Sequence, residues 1–152
     1  MGGKGVDFWT NIFDCDIVVA DPRALVIAKY FRNAFLATKV NYFNQVFDLC
    51  TALNIEYECV RKAITDDPRI GDSHSYITEE RGFGGHCFPK DTKGLVSAAD
   101  KYKVNLSVVK SVIKSNHDRV NLLTYRIHKI LGSNLKNKKI SFLGVTFKPN
   151  TD

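Results

Sequence analysis

The sequence lacks several features that would assign a protein to a class at once. No apolar run reaches the roughly 18 residues that a membrane span needs. The four cysteines form no C-x-x-C pair, and no group of cysteine and histidine has zinc-ligand spacing. The first residues, "MGGKGVDFWTNIFDCD", have no basic start followed by an apolar core, so we see no secretory signal. We therefore expect a cytoplasmic protein with no membrane partner and no bound metal.

Motifs for nucleic acids and for dinucleotides are also missing. The chain has 152 residues and a net charge of +6, but it contains no recognisable nucleic-acid-binding motif, so we expect no nucleic-acid partner. The early "GGKG" follows no predicted strand and does not have the spacing G-x-G-x-x-G, so it is no dinucleotide fingerprint. The basic charge remains compatible with a phosphorylated small molecule.

The clearest secondary-structure signal is one very long helix. Asp21 is a good N-cap, Pro22 suits the first helical position, and neither glycine nor proline interrupts the chain before Asn54. Apolar residues fall on nearly every face of this helix, and such a helix must be buried on all sides. Because a short chain cannot easily wrap so long a rod, we predict a homodimer formed through residues 24–54.

The rest of the chain predicts shorter elements around this helix. They are a possible strand at 16–21, a short helix at 57–66, a helix at 90–103 opened by Pro89, a long helix at 107–132 capped by Ser107, and a buried strand at 138–147. The predicted fold class is therefore mainly α: a long central helix with packed helices, followed by the first strand of an α/β domain.

The stretch "RGFGGHCFPKD" combines flexible backbone with a thiol. Three glycines precede Cys87, and glycine lets a ligand approach the main chain closely. A helix starting at Pro89 would place Cys87 just before its amino end, where the helix dipole favours a thiolate, and Lys90 adds positive charge. A plain tight turn and a structural cysteine remain the alternatives.

Three further polar residues have spacings that suggest a shared site. Asp91 lies four residues after Cys87, and Lys29 and Asn33 are four apart on the long helix, so each pair shares a helix face. A buried Lys29 needs a charged partner, which Asp91 could provide. The alternatives are that Lys29 reaches solvent and that Asn33 is a satisfied polar group of the core.

These segments resemble the UDP-glucose 6-dehydrogenase family. "GFGGHCFPKD" is similar to its active-site segment, "KYFRNAFLATKV" to its central-helix motif, and "DPRIG" and "FLGVTFKPNTD" to two further segments, all in the family's order. The resemblance covers about residues 24–152. It implies a central dimerisation and catalytic-cysteine domain at 24–135 and the start of a nucleotide-sugar-binding domain at 136–152, with residues 1–23 unassigned.

The resemblance also implies an activity and its residues. NAD would oxidise UDP-glucose in two steps to UDP-glucuronate through a thioester on Cys87. Lys29 and Asn33 would stabilise oxyanions and position water, and Asp91 would pair with the lysine. The implied substrate-binding residues are Arg69, which reaches a partner's site, Phe83, Gly84 and Lys148; the implied cofactor contact is Lys90.

The sequence departs from the family in one large respect. The NAD-binding domain with which family members begin is missing here, and Gln45 replaces a usual acidic residue of the central helix. We therefore expect the chain alone to bind NAD poorly and to be inactive. A non-catalytic dimerisation remnant and a GDP-mannose dehydrogenase remain alternatives to a UDP-glucose dehydrogenase.

Overall fold

The computed structural model describes residues 3–76, 82–141 and 143, and within these ranges the chain is helical with no β-strand. Five helices follow one another: α1 (Gly3–Thr10), α2 (Pro22–Leu53), α3 (Tyr57–Thr65), α4 (Cys87–Lys101) and α5 (Ser107–Leu131). The predicted mainly α fold with a long central helix is confirmed. None of the helices in the described part of the chain is long and apolar enough to cross a membrane.

Helix α2 begins and ends at the predicted residues. The Asp21 side chain accepts a hydrogen bond from the Arg23 backbone N–H at 2.7 Å, and Pro22 occupies the first helical position. Asn54 ends the helix in the left-handed conformation (φ 56°), and its N–H bonds to the carbonyls of Cys50 and Thr51. With 32 residues, α2 is about 48 Å long at ~1.5 Å per residue.

Helix α2 is the centre of the fold, because α3, α4 and α5 all pack against it, and its buried residues begin at Ala34. One buried cluster joins Ala34 of α2 to Leu95 of α4 and Val109 of α5. A second joins α2 and α5 to the loop before α4; its members are Ala37, Phe83 and Val112. These clusters fix α4, and with it the thiol at its first residue, against the middle of α2.

The first half of α2 is largely uncovered in this chain, apart from the buried Ala34 and Ala37. Large apolar side chains there are between 42% and 67% exposed: Leu25, Val26, Ile27, Phe31 and Phe35. The described residues leave these side chains exposed, and the prediction that a partner subunit covers them stays a prediction.

Helix α4 starts earlier than predicted. It begins at Cys87, so Pro89 is its third residue and not its first. Proline is tolerated there because the first four N–H groups of a helix have no intrahelical acceptor to lose. For α5, the N-cap is Leu106, without a side-chain cap, so the prediction of Ser107 as the cap was wrong by one position.

The two predicted strands have different outcomes. Residues 16–21 are irregular, and among the described residues there is no strand with which the exposed Val18 could pair, so that prediction was wrong. In the segment 138–147, residues 138–141 and 143 show no strand, and the others lie outside the described residues.

Helix α1 was not predicted, because its glycines disfavour a helix. The ring of Trp9 stacks on that of Phe13, with 5.8 Å between the ring centroids.

Candidate functional site

A fully buried carboxylate, Asp91, lies at the contact between α2 and α4. Asn33 of α2 donates a hydrogen bond from Nδ2 to Asp91 Oδ2 at 2.6 Å. The exposed ammonium of Lys90 lies 3.0 Å from Asp91 Oδ1. Its approach is poorly directed, so Oδ1 accepts no hydrogen bond from the described residues and meets Lys90 as a charge. The structure thus brings Asn33 and Asp91 together, as the predicted shared site requires.

The surroundings of Asp91 hold it ionised. The Lys90 ammonium is the main cause of a lowered Asp91 pKa; burial acts in the opposite direction, while Asn33 and Lys29 lower the pKa further. In return, Asp91 raises the pKa of Lys90. At neutral pH the site therefore holds a fixed anion, which orients the amide and the ammonium beside it.

Cys87 shares the first turn of α4 with this pair. It precedes Lys90 by three residues and Asp91 by four, which places all three on one helix face. Its thiol is free and exposed. The first N–H groups of α4 point toward this end of the helix, where an anionic sulfur or oxygen is stabilised.

Lys29 lies one helical turn before Asn33 but does not pair with Asp91 as expected. It is exposed, and Lys90, the residue adjacent to Asp91, forms the ion pair instead. Lys29 acts on Asp91 only as a more distant positive charge. The prediction of a buried, paired Lys29 was therefore wrong, and the alternative of an ammonium in solvent is the observed one.

The glycine loop before Cys87 is held by a residue that the sequence did not single out. Asn116 of α5 accepts a hydrogen bond from the Phe83 N–H (2.7 Å) and donates one to the Phe83 carbonyl (3.0 Å). Positive φ angles occur at Gly82 (65°) and Gly85 (73°), whereas Gly84 has none. Asparagine inside a helix gives no signal of such a role, because its partner is 33 positions away.

Arg69 lies on a separate loop, between α3 and the described residue Tyr76. Its exposed side chain makes a two-pronged pair with Asp67 (Nη2–Oδ2 2.5 Å, Nε–Oδ1 3.0 Å). No contact among the described residues joins Arg69 to Cys87 or Asp91 within this chain. The sequence-based expectation places Arg69 in a partner's site, and that expectation stays a prediction.

Two buried cations hold the Arg69 loop in place. Lys39 of α2 donates from Nζ to the carbonyls of Ile70 and Gly71, each at 2.7 Å. Arg61 of α3 bonds Glu58 on its own helix and reaches Asp72 and Ser75 in the loop. The sequence reasoning missed both residues; a charged residue within a helix is ordinarily a surface residue, and nothing local marks these two as buried.

Two tyrosines, Tyr57 and Tyr76, make further contacts at the end of the Arg69 loop. The Arg61 guanidinium lies 4.0 Å from the centroid of the Tyr76 ring. The Tyr57 hydroxyl donates to the Ser75 carbonyl at 2.5 Å, and burial raises the pKa of Tyr57 to about 12. Backbone and side chains of the loop are thus tied to α2 and α3 on several sides.

The described residues offer neither a metal site nor a dinucleotide-binding turn. No group of His, Cys, Asp or Glu among them could hold a metal ion. They include no strand followed by a glycine-rich turn and a helix, so they do not fit the pyrophosphate of NAD; Lys90, the predicted cofactor contact, is engaged with Asp91. The predicted substrate residue Lys148 lies outside the described residues.

Residues 24–118 match the central domain of the UDP-glucose/GDP-mannose dehydrogenase family. A UDP-glucose 6-dehydrogenase of Bacillus subtilis, YwqF, is 37% identical over 140 residues, which are 92% of this chain and 31% of that protein. A UDP-glucose 6-dehydrogenase of Rickettsia felis is 37% identical over 135 residues, 89% of this chain and 30% of that protein.

The fold has a solved counterpart. A UDP-glucose dehydrogenase from the hyperthermophilic archaeon Pyrobaculum islandicum superposes with a TM-score of 0.75 at 28% identity, covering 85% of this chain and 30% of that one. The chain thus spans about a third of the length of the curated relatives that it matches.

Proposed function

Because the chain belongs to the UDP-glucose/GDP-mannose dehydrogenase family, we propose that it carries the catalytic half-site of an NAD-dependent dehydrogenase that converts UDP-glucose to UDP-glucuronate. One observation supports this most directly: Cys87, Lys90 and Asp91 occupy one face of the first turn of α4, and Asn33 of α2 is fixed against Asp91. A nucleophile, a cation and an orienting carboxylate are the groups that a thioester route requires.

The thiol of Cys87 is the nucleophile of this proposal. NAD would be held outside the described residues and would supply the oxidant for both oxidations of C6. With C6 at the aldehyde level, the sulfur of Cys87 would lose its proton and form a bond to the aldehyde carbon, and the carbonyl oxygen would take up a proton. After the second oxidation the sugar is held as a thioester, and water then cleaves the C–S bond to release the carboxylate and the thiol.

The residues around the thiol stabilise charge on the substrate oxygen. Asn33 has a second N–H on Nδ2 beside the one given to Asp91, and Lys29 presents its ammonium one turn earlier on α2. Because the Asp91 pKa is lowered, this carboxylate is a weak base, and its role is to orient Asn33 and Lys90. Water entering the site would be positioned by Asn33.

Substrate contacts complete the proposal. The loop at Phe83 and Gly84 lies just before the thiol and would receive the sugar, while Arg69 would reach the site of a second copy bound through residues 24–54. Lys148 would contact the nucleotide. Residues 24–135 would form the dimerisation and catalytic-cysteine domain, and residues 136–152 would open a nucleotide-sugar-binding domain.

A chimera tests whether this half-site is competent. The matching segment of B. subtilis YwqF, a UDP-glucose 6-dehydrogenase that this chain covers over 31% of its length, is replaced by the chain. We expect NADH formation with UDP-glucose and release of UDP-glucuronate. Cys87→Ser should abolish uronate release, because the un-ionised serine hydroxyl is a far weaker nucleophile than a cysteine thiol at neutral pH. Cys59→Ser, at another exposed thiol, is the matched control.

The alternatives predict different outcomes. A folded chimera that forms dimers but produces no NADH would support the non-catalytic dimerisation module, for which the uncovered apolar half of α2 is the relevant observation. NADH formation with GDP-mannose in place of UDP-glucose would assign the chain to the other substrate of the family.

A further inference from the structure

The glycine loop is attached to α5 by a two-way amide contact. Asn116 Oδ1 accepts from the Phe83 N–H at 2.7 Å, and Asn116 Nδ2 donates to the Phe83 carbonyl at 3.0 Å. A side-chain amide therefore pairs with one residue's backbone as a neighbouring strand would. Both bonds depend on the orientation of the Phe83 peptide groups, so together they restrict translation and rotation of the loop.

The neighbouring glycine is shaped to this contact. A Cβ on Gly82 would lie 2.3 Å from Asn116 Oδ1 and 3.3 Å from Arg119 Cδ. Gly82 also has φ +65°, a conformation that other residues rarely adopt. Gly82 therefore has both a conformational and a steric reason to lack a side chain, and the steric reason is Asn116.

The contact lies directly before the catalytic turn. The Phe83 ring is buried against Ala37 of α2 and Val112 of α5, and it meets Phe88 of α4 edge-on at 6.2 Å between ring centroids. Cys87 is thus bracketed by Phe83, held through its backbone and ring, and by Phe88, held through its ring. The backbone between these two anchors leads directly into the first turn of α4, whose first residue is Cys87.

We propose that Asn116 is a positioning residue for Cys87: through Phe83 and Gly82 it sets the path of the loop that delivers the thiol to the first turn of α4. Its importance for the reaction rests on the function proposed above. A displacement of about 1 Å between reacting groups is enough to cost roughly 100-fold in rate, so a rigid loop is chemically useful at this point.

The test observes the position of residue 87 without substrate or cofactor, so it does not depend on the proposed activity. In a Cys15→Ser, Cys59→Ser background, Cys87 is labelled with bromotrifluoroacetone, since the remaining Cys50 is buried. Fluorine NMR of the folded chain should give one sharp resonance. Asn116→Ala should shift it or split it into two, and amide exchange of Phe83 should rise roughly tenfold as its acceptor is lost.

A double-substitution cycle separates positioning from a general loss of stability. Gly82→Ala should perturb the same resonance, and its effect should be smaller in the Asn116→Ala background, because the atom that its Cβ meets is gone. Asn116→Asp keeps the acceptor oxygen, so its fluorine resonance should lie between those of the original chain and of Asn116→Ala. Asn121→Ala, at an exposed asparagine of α5, is the control and should leave the resonance unchanged.

The outcomes decide the proposal. An unchanged resonance in both Asn116→Ala and Gly82→Ala, at a temperature where both are folded by circular dichroism, would overturn it. If Asn116→Ala does not fold, the decision passes to Asn116→Asp and Gly82→Ala. A shifted resonance together with an inactive chimera would retain the loop contact and reject only the dehydrogenase function.

Discussion

The amide of Asn33 donates to the carboxylate of Asp91 at 2.6 Å and so joins two helices across 58 positions of the chain. Asp91 is fully buried, and Asn33 is half-buried on the face of α2 that α4 covers. The bond ties the first residues of α4 to α2 through a buried carboxylate. It therefore contributes to both the stability of the fold and the geometry of the site.

Loss of the Asp91 side chain should destabilise the fold measurably. Asp91→Ala leaves Asn33 Nδ2 without its acceptor and a cavity at the helix contact, so we expect a loss of about 2 kcal/mol in the free energy of unfolding. The matched control is Asp100→Ala on the same helix, whose carboxylate forms an exposed pair with Lys110 and should contribute below about 1 kcal/mol. Urea unfolding followed by circular dichroism measures both. Equal losses for the two variants would contradict this account.

The lowered pKa of Asp91 gives the fold a specific dependence on acid. The carboxyl has a pKa below its ordinary value of 3.8 in the folded chain, mainly because of Lys90, so the folded state binds a proton less readily than the unfolded state. Its stabilising contribution is complete above about pH 4 and is lost as the pH falls below that value toward the folded pKa.

Asp91→Asn isolates that contribution, because an amide does not titrate in this range. The difference in urea midpoint between the original chain and Asp91→Asn should be constant from about pH 7 to about pH 5 and should shrink below about pH 4. Asp100→Asn is the control for general acid effects. A difference that stays constant down to about pH 3 would mean that the charge of Asp91 is not stabilising.

Loss of the Arg61 side chain should loosen the Arg69 loop far more than loss of an exposed arginine with a similar ion pair. Its guanidinium is buried and connects α3 to the Arg69 loop through Asp72 and Ser75, so Arg61→Ala should loosen that loop. We expect trypsin to cleave after Arg69 roughly tenfold faster in this variant, since the loop opens more often. Arg23→Ala is the control, because Arg23 is exposed and pairs with Asp21, two residues earlier. Unaltered cleavage in Arg61→Ala would show that Lys39 and Tyr57 hold the loop without Arg61.

The uncovered half of α2 should mediate self-association. Phe35 is 67% exposed among other apolar side chains, and a charge there would have to be desolvated in an apolar interface. Sedimentation velocity at micromolar concentration should show a dimer for the original chain and a monomer for Phe35→Asp. Tyr102→Asp, at a residue 81% exposed at the end of α4, should remain dimeric. A monomeric original chain would count against the proposed interface.

The sequence predicts the helices of this fold well because their signals are local. Asp21 and Pro22 define the start of α2, and the absence of glycine and proline up to Asn54 defines its length. The start of α4 was displaced because proline is acceptable anywhere in a first turn, so Pro89 limits the helix start without fixing it. The strand predicted at 16–21 failed because a strand needs a partner, and no local pattern reveals whether one exists.

The residues of the candidate site also fall into two groups: those that local spacing reveals, and those that only the packing of the helices brings together. Cys87 and Asp91 are recognisable because they stand on one helical turn, four residues apart, next to a glycine-rich segment. The contacts of Lys39 with Ile70 and Gly71, and of Asn116 with Phe83, join residues more than thirty positions apart. Such contacts follow from how the helices pack, and a single sequence carries no spacing that encodes them.

The unbroken length of α2 makes it intolerant of changes in chain length. Asn33 meets Asp91, Lys39 meets the loop carbonyls, and Asp48 meets Arg119, all from one continuous helix. One inserted residue between Asn33 and Lys39 would rotate everything downstream by about 100° relative to everything upstream. No compensating side-chain substitution restores three such alignments together. Relatives are therefore expected to differ in this helix by exchanges of residue type and hardly ever by insertions or deletions.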